Sequence, residues 1–213
     1  MTVSLDTLDP ARFARITGGG RLADVRSGIE TALAAGFSEL KLNIVIIRDQ
    51  NDDEVEDLVR WAWARRIVPR FIELMRIGGG ARLPDRATVP ASELQARLAP
   101  LLADGPPRRD PGRGPAVYAQ ARHDPGLRVG FISGASRPFC GDCDRLRVTA
   151  DGTLRPCLAT GEGVAAGGLA EAGDVDGLVE AIQAAWAKKP DGLTFRGCAD
   201  PGAARLSIRA VGG

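Results

Sequence analysis

Between Leu40 and Ile47 the chain alternates, with Leu40, Leu42, Ile44 and Ile46 on one side and Lys41, Asn43, Val45 and Ile47 on the other. This is the period of a strand with one face fully buried and polar groups on the other. From Ala23 to Gly36 the apolar residues Val25, Ile29, Ala32 and Leu33 recur at helical spacing, with Asp24 in the first turn and Gly36 as the stop. Asn51-Asp52 opens a second helix whose stripe is Val55, Leu58, Val59, Ala62 and Trp63, and VPRFIELM (residues 68–75) returns to a strand. With Val3-Ser4-Leu5 as a strand stub, the order is strand, helix, strand, helix, strand. Such alternation implies parallel pairing through right-handed crossovers, as in barrels and doubly wound sheets. Three strands cannot close a barrel, so the pattern reads as a piece of a larger parallel α/β unit whose first strand leaves a hydrogen-bonding edge.

After Met75 the character changes. Gly78-Gly79-Gly80 breaks the pattern, residues 90–102 resemble a short helix, and GPPRRDPGRGP (residues 105–115) is a loop or linker. Residues 127–133 and 145–149 read as strands, Asp151-Gly152 as a hairpin turn into Thr153-Leu154-Arg155, and residues 174–189 as a final amphipathic helix before an irregular tail. Two regions are therefore expected: residues 1–80, the partial α/β unit, and residues 81–213, a smaller α+β region. No internal repeat is visible.

Composition narrows the function classes. The 213 residues are 44% hydrophobic and 26% charged, with no apolar run long enough to cross a membrane, so a globular chain without a membrane span is expected. A net charge of +1 and 5% aromatic residues disfavour nucleic acid as a partner, and anion binding has to come from a local cation cluster. The first residues lack a basic stretch followed by an apolar run, which points to the cytoplasm. Four cysteines in that compartment read as metal ligands or catalytic thiols before disulfides.

The strongest chemical signal is Phe139-Cys140-Gly141-Asp142-Cys143-Asp144-Arg145-Leu146-Arg147, with Cys157 following 14 residues after Cys143. Two cysteines separated by two residues can face one metal centre, and a hairpin can return the third sulfur. Spacing alone leaves structural zinc, with Cys198 or the only histidine, His123, as fourth ligand, level with an iron–sulfur cluster held by three thiolates. Arg145 and Arg147, two residues apart on an expected strand, suit a phosphate or nucleotide. A solvated basic face beside a zinc is the plainer alternative.

FCGDCDRLRVTADGTLRPCL resembles the C-terminal cluster segment of the GTP 3',8-cyclases, the radical S-adenosylmethionine enzymes of molybdenum cofactor biosynthesis. The resemblance extends, in the family's order, to VSLDTLDPARFARITG, LKLNIVIIRDQND, RFIELM and the terminal Gly212-Gly213. It implies an α/β fold, the C-terminal part of an incomplete radical-SAM (βα) barrel followed by an α+β region carrying a 4Fe-4S cluster. It also implies that Cys140, Cys143 and Cys157 ligate that cluster and leave one iron open for the guanine base of GTP. Arg145, Leu146 and Arg147 would line the GTP site, with Lys41 reaching the triphosphate and Arg70 also contacting GTP. Ser4 and Met75 match positions that contact S-adenosylmethionine. Strand parity places Arg70 and Met75 on opposite faces, so one of them must act from the strand end or through its backbone. Gly212 and Gly213 would enter the active site, where close backbone approach needs the absence of Cβ. Cys198 is expected to be a bystander thiol. The family's product passes to a cyclic pyranopterin monophosphate synthase, and the resemblance is compatible with a homodimer.

One departure bears on activity. The family's C-x3-C-x2-C motif, which holds a second 4Fe-4S cluster that reduces S-adenosylmethionine, does not occur in this sequence. Either Met1 is an internal methionine of a longer reading frame or the gene is shortened. The intact downstream motifs favour the first. On either account a stand-alone chain is expected to be poorly stable, with an open sheet edge and apolar faces.

Overall fold

Three parallel strands, β1 (Thr2–Ser4), β2 (Lys41–Ile46) and β3 (Val68–Glu73), pair with Val3, Leu42 and Pro69 in one row and Ser4, Asn43 and Arg70 in the next. They belong to a computed structural model that describes residues 1–75, 78–110, 114–158, 160 and 162–190. Cys198, Gly212 and Gly213 lie outside the described residues. Between the strands run α1 (Pro10–Thr17), α2 (Leu22–Ala34) and α3 (Val55–Trp63). Alternation in β2 has the expected result: Leu42, Ile44 and Ile46 are wholly buried, in a core with Ile29 of α2 and Leu58, Val59 and Ala62 of α3. Each such side chain contributes about 1.5–3 kcal/mol by leaving water.

Helix α1 was not foreseen from apolar spacing, because it buries only Phe13. Its ends are fixed locally: Asp9 accepts the Arg12 N–H at 2.6 Å, Pro10 begins the first turn, and Gly18 closes the helix at φ 73°. Asn51 does not open α3, which starts at Val55. It is buried instead: its Oδ1 accepts the Ile47 N–H at 2.7 Å, and its Nδ2 donates to the carbonyls of Asp6 at 2.7 Å and Val45 at 2.9 Å. A wholly buried amide is retained because it replaces backbone bonds that the turn between β2 and α3 cannot make.

The chain then contributes α4 (Ala91–Leu98), β4 (Arg108–Arg109), β5 (Val117–Gln120) and β6 (Arg128–Ile132). The sheet order is β1-β2-β3-β6-β5-β4, with β6 parallel to β3 and β5 and β4 antiparallel. The fold is therefore a mixed α/β one with a parallel-rich sheet, and among the described residues β1 is one of its edges. Residues 108–109, within the expected linker, pair as a strand too short to show a period.

The described residues form two compact units, one from residues 1–74 and 85–136, the other from those of 75–84 and from residue 137 onward. In the second, β7 (Arg147–Val148), β8 (Thr153–Arg155) and β9 (Val164–Ala165) form an antiparallel sheet, followed by α5 (Gly167–Ala172) and α6 (Val175–Ala187). The Asp-Gly turn forms as expected, with Gly152 at φ 74°; a Cβ there would sit 2.4 Å from the Cα of Gly167. Leu154, Ala166, Ala181 and Ala185 make a small separate core.

Among the described residues of the first unit, Glu73 at the end of β3, 1% exposed, is a heavily used buried polar group. Its carboxyl oxygens accept the N–H groups of Ala91 at 2.7 Å, Ala135 at 2.9 Å and Ser136 at 2.7 Å, and the Ser136 hydroxyl at 2.6 Å. Glu73→Ala strands these donors, and we expect the urea midpoint to fall by the equivalent of about 3 kcal/mol. On the surface, Glu93 of α4 is held by Arg48, at 3.1 and 2.7 Å, and by Arg97. The bonded Arg48 guanidinium, helped by Arg97 and opposed by partial burial, lowers the carboxyl from 4.5 to about 2. Its stabilising contribution is present above 4.5 and is lost as the pH falls through about 2. Urea midpoints measured across that window should vary less with pH in Glu93→Gln than in the parent.

Candidate functional site

The Cys140–Asp142 segment is a single 3-10 turn that closes with the Cys143 N–H on the Cys140 carbonyl at 3.2 Å. The hairpin of β7 and β8 then reverses the chain, pairing Arg147 with Arg155 and Val148 with Leu154, so that the segment carrying Cys157 returns toward the first two cysteines. The strand expected from residue 145 begins only at Arg147; Arg145 lies before it, exposed, with its guanidinium 5.3 Å from the Phe139 ring centre. Arg147 directly opposite Arg155 is a like-charge cross-strand pair, an arrangement disfavoured unless negative charge lies nearby.

The three cysteines are half-buried, and Cys140 feels the charge of both others. Burial pushes the Cys140 thiol above its usual value, reinforced by the neighbouring Cys157 and Cys143. Burial acts on Cys143 in the same direction, but the Arg145 N–H and guanidinium outweigh it, helped by Lys189, and the thiol is pulled down. Arg147 is lowered by burial and by the charge of Arg145, while Cys157 and Cys143 act the other way. Among the described residues no three Cys, His, Asp or Glu side chains close round a single ion. The donor chemistry nevertheless fits an iron–sulfur group: three half-buried thiols, with Cys140 in electrostatic reach of both others and Cys143 biased toward thiolate. Leu146 packs against the small core of Leu154, Ala166, Ala181 and Ala185, so its side chain serves the fold. His123 is an exposed turn residue between β5 and β6.

A second polar array lies on the face of the large sheet opposite the Leu42, Ile44 and Ile46 core. Ser4, Asn43, Arg70 and Gly130 occupy one row across β1, β2, β3 and β6. Arg70 donates to Asn43 Oδ1 at 2.6 Å and to Thr2 Oγ1 at 3.3 Å. A Cβ on Gly130 would come within 2.9 Å of both the Arg70 stem and the Tyr118 ring, so the missing side chain makes room for both. The Arg70 Nε and the Tyr118 hydroxyl are buried with no hydrogen-bond partner among the described residues. Lys41, at the start of β2, is neutralised by Glu39 at 2.7 Å; Glu39 also takes Arg128 at 2.8 Å, and Arg128 reaches Asp110 at 2.7 Å. Burial alone would raise Glu39, but Lys41 and Arg128 together hold it below its usual range.

Strand β3 ends at Glu73, two residues before Met75, so the parity that opposes Arg70 and Met75 does not extend to the methionine. Ser4 is exposed on the edge strand. Sequence reasoning missed Glu39, Tyr118 and Lys189, whose partners are set by tertiary approach. Gly130 could have been found, since an isolated glycine inside a strand pattern signals close approach.

The fold and thiols define a class of α/β protein with a second, cysteine-bearing unit, and comparisons with known proteins give it a family. A family model described as Molybdenum Cofactor Synthesis C matches residues 67–195, more than half of the chain, and the chain belongs to that family. A Radical SAM superfamily model matches residues 1–62. Among similar proteins, the GTP 3',8-cyclase of Pelotomaculum thermopropionicum is 43% identical over 196 residues, covering 90% of this chain and 59% of that protein. That of Heliobacterium modesticaldum is 47% identical over 161 residues, 74% of this chain and 48% of the relative. That of Rhizobium meliloti is 38% identical over 198 residues, 92% and 55%. The chain thus spans between about half and three-fifths of the length of these relatives.

The Gly130 contact is testable without any ligand. Gly130→Ala should lower the urea midpoint by the equivalent of roughly 1–3 kcal/mol through overpacking. The same change in an Arg70→Ala background should cost measurably less, since one of the two crowded groups has gone; equal losses would show that Arg70 does not depend on the glycine.

Proposed function

We propose that this chain carries the substrate-binding part of a GTP 3',8-cyclase, acting in molybdenum cofactor biosynthesis. The observation that carries the reading is the combination, in one small unit, of three half-buried thiols, two on one turn and the third on the segment that a hairpin returns toward it, with Arg145 and Arg147. In this reading Cys140, Cys143 and Cys157 hold a 4Fe-4S cluster, and residues 1–80 belong to an incomplete radical-SAM barrel of which residues 81–213 are the cluster and GTP-binding complement. Ser4 and Met75 are assigned to S-adenosylmethionine, and Gly212 and Gly213 to the active site. When bound, the clusters and S-adenosylmethionine supply radical initiation and an iron that lacks a protein ligand and can receive a purine.

The chain's own residues do the binding work. Arg145 and Arg147 present two always-charged groups beside the thiols, where burial of Arg147 strengthens its attraction for a nucleotide anion. Leu146 contributes through its backbone, its side chain being committed to the core. On the sheet, Asn43 orients Arg70, whose Nε, without a partner among the described residues, is a donor in reserve. Lys41 engages a triphosphate only by exchanging Glu39 for a phosphate oxygen, and Arg128 is placed to keep Glu39 compensated when that happens. No described helix is long and apolar enough to cross a membrane. The cytoplasm is the compartment this reading implies, with GTP as the small-molecule partner, a homodimer as its assembly and a cyclic pyranopterin monophosphate synthase as the next enzyme.

Anaerobic reconstitution with iron and sulfide, metal analysis and a GTP titration test the reading. We expect about four irons per chain, GTP binding that is lost in Cys143→Ala, and binding weakened at least tenfold in Arg147→Ala. One zinc and no GTP binding would replace the reading with a zinc-stabilised module without radical chemistry.

A further inference from the structure

Just beyond α6, the ammonium of Lys189 finds three acceptors, all on the cysteine-bearing segments. It lies 2.7 Å from the Arg145 carbonyl, 3.4 Å from the Pro156 carbonyl and 3.5 Å from Cys143 Sγ. An ammonium has three N–H donors, so this set uses its full capacity. Arg145 follows Cys143 by two residues and Pro156 immediately precedes Cys157, so one side chain spans the C-x2-C segment and the segment that returns the third thiol. Two of its acceptors are neutral carbonyls, which leaves its positive charge uncancelled and directed at sulfur.

The fold holds Lys189 in place. Asp174 caps α6 by accepting the Gly177 N–H at 2.9 Å, and Ala181 and Ala185 bury one face of the helix in the small core. The helix ends with the Lys189 N–H on the Trp186 carbonyl at 3.1 Å, and the ammonium lies 4.8 Å from the Trp186 ring centre, a cation–π contact that adds to its anchoring. Lys188, its neighbour, behaves differently: it reaches Glu162 at 3.9 Å, with both side chains largely exposed. Two adjacent lysines thus have separate surroundings, one a weak surface pair and the other a strut between cysteine segments.

We propose that Lys189 is a positioning residue for the metal group of Cys140, Cys143 and Cys157, pinning the two cysteine segments together and donating an N–H···S bond that favours the reduced, more negative form of an iron–sulfur cluster. The inference rests on the reading of these thiols as cluster ligands. Hydrogen bonds to ligand sulfur and nearby positive charge raise cluster potentials, because reduction adds negative charge that they stabilise.

The test compares the full chain with Lys189→Met, Lys189→Gln, Lys189→Arg and the neighbour control Lys188→Met, each reconstituted anaerobically with iron and sulfide. Iron is counted, and reduction is followed by electron paramagnetic resonance in a redox titration. In Lys189→Met the reduction equilibrium should shift at least tenfold toward the oxidised form, ~59 mV for a one-electron couple. Lys189→Gln, which keeps a donor but not the charge, should fall between Lys189→Met and the parent. Lys189→Arg should recover most of the shift, and Lys188→Met should match the parent. Poor iron uptake in Lys189→Met that Lys189→Arg restores would also support the pinning role. Full iron with one potential throughout overturns the role of Lys189 and leaves the cluster reading standing, whereas a parent chain that takes up no iron overturns both.

Discussion

The first unit depends on one buried carboxyl group. Glu73 sits where β3 ends, and it satisfies the first N–H of α4 together with two N–H groups and a hydroxyl in the turn that follows β6. Helix N-termini and strand exits both leave backbone donors without partners, and inside a protein each such donor must be met. Meeting them from one side chain fixes the start of α4 and the exit of β6 relative to β3. Arg70 and Gly130, paired between β3 and β6, lie on strands whose ends this carboxyl group clamps.

The elements that could be read in advance were those whose stability is local or periodic. β2 alternates over its whole length and α3 carries a five-residue apolar stripe, so burial alone predicts them. Helix α1 has too small a buried face to reveal itself by period, although Asp9-Pro10 is a start signal and Gly18 a stop signal that propensity reasoning could have used. β4, β7 and β9 have two residues each, too few for any period, and exist because a neighbouring strand offers them partners.

The site divides along the same line. Cys140, Cys143, Arg145 and Arg147 were visible as a cluster because they are neighbours in sequence. Lys189 was not: its position depends on α6 packing over β8 and on the hairpin that returns Pro156, and no local pattern encodes either. Glu39 was overlooked for a related reason, since a carboxylate two residues before a lysine looks like ordinary surface until Arg128 arrives from β6 to complete the set.

The two units treat their cations differently, and the difference constrains chemistry. On the sheet face, Lys41 and Arg128 are held by Glu39 and Asp110, so an incoming anion competes with carboxylates already in place. Exchange of one anion for another gains little Coulombic energy but selects strongly on geometry. Beside the thiols, Lys189 is held by carbonyls and sulfur, and nothing has to be displaced for its charge to act. A fixed cation of that kind stabilises negative charge as it develops on the sulfurs, without reorganisation. On the proposed reading, the first arrangement would discriminate between ligands, and the second would set the electronic character of what the thiols hold.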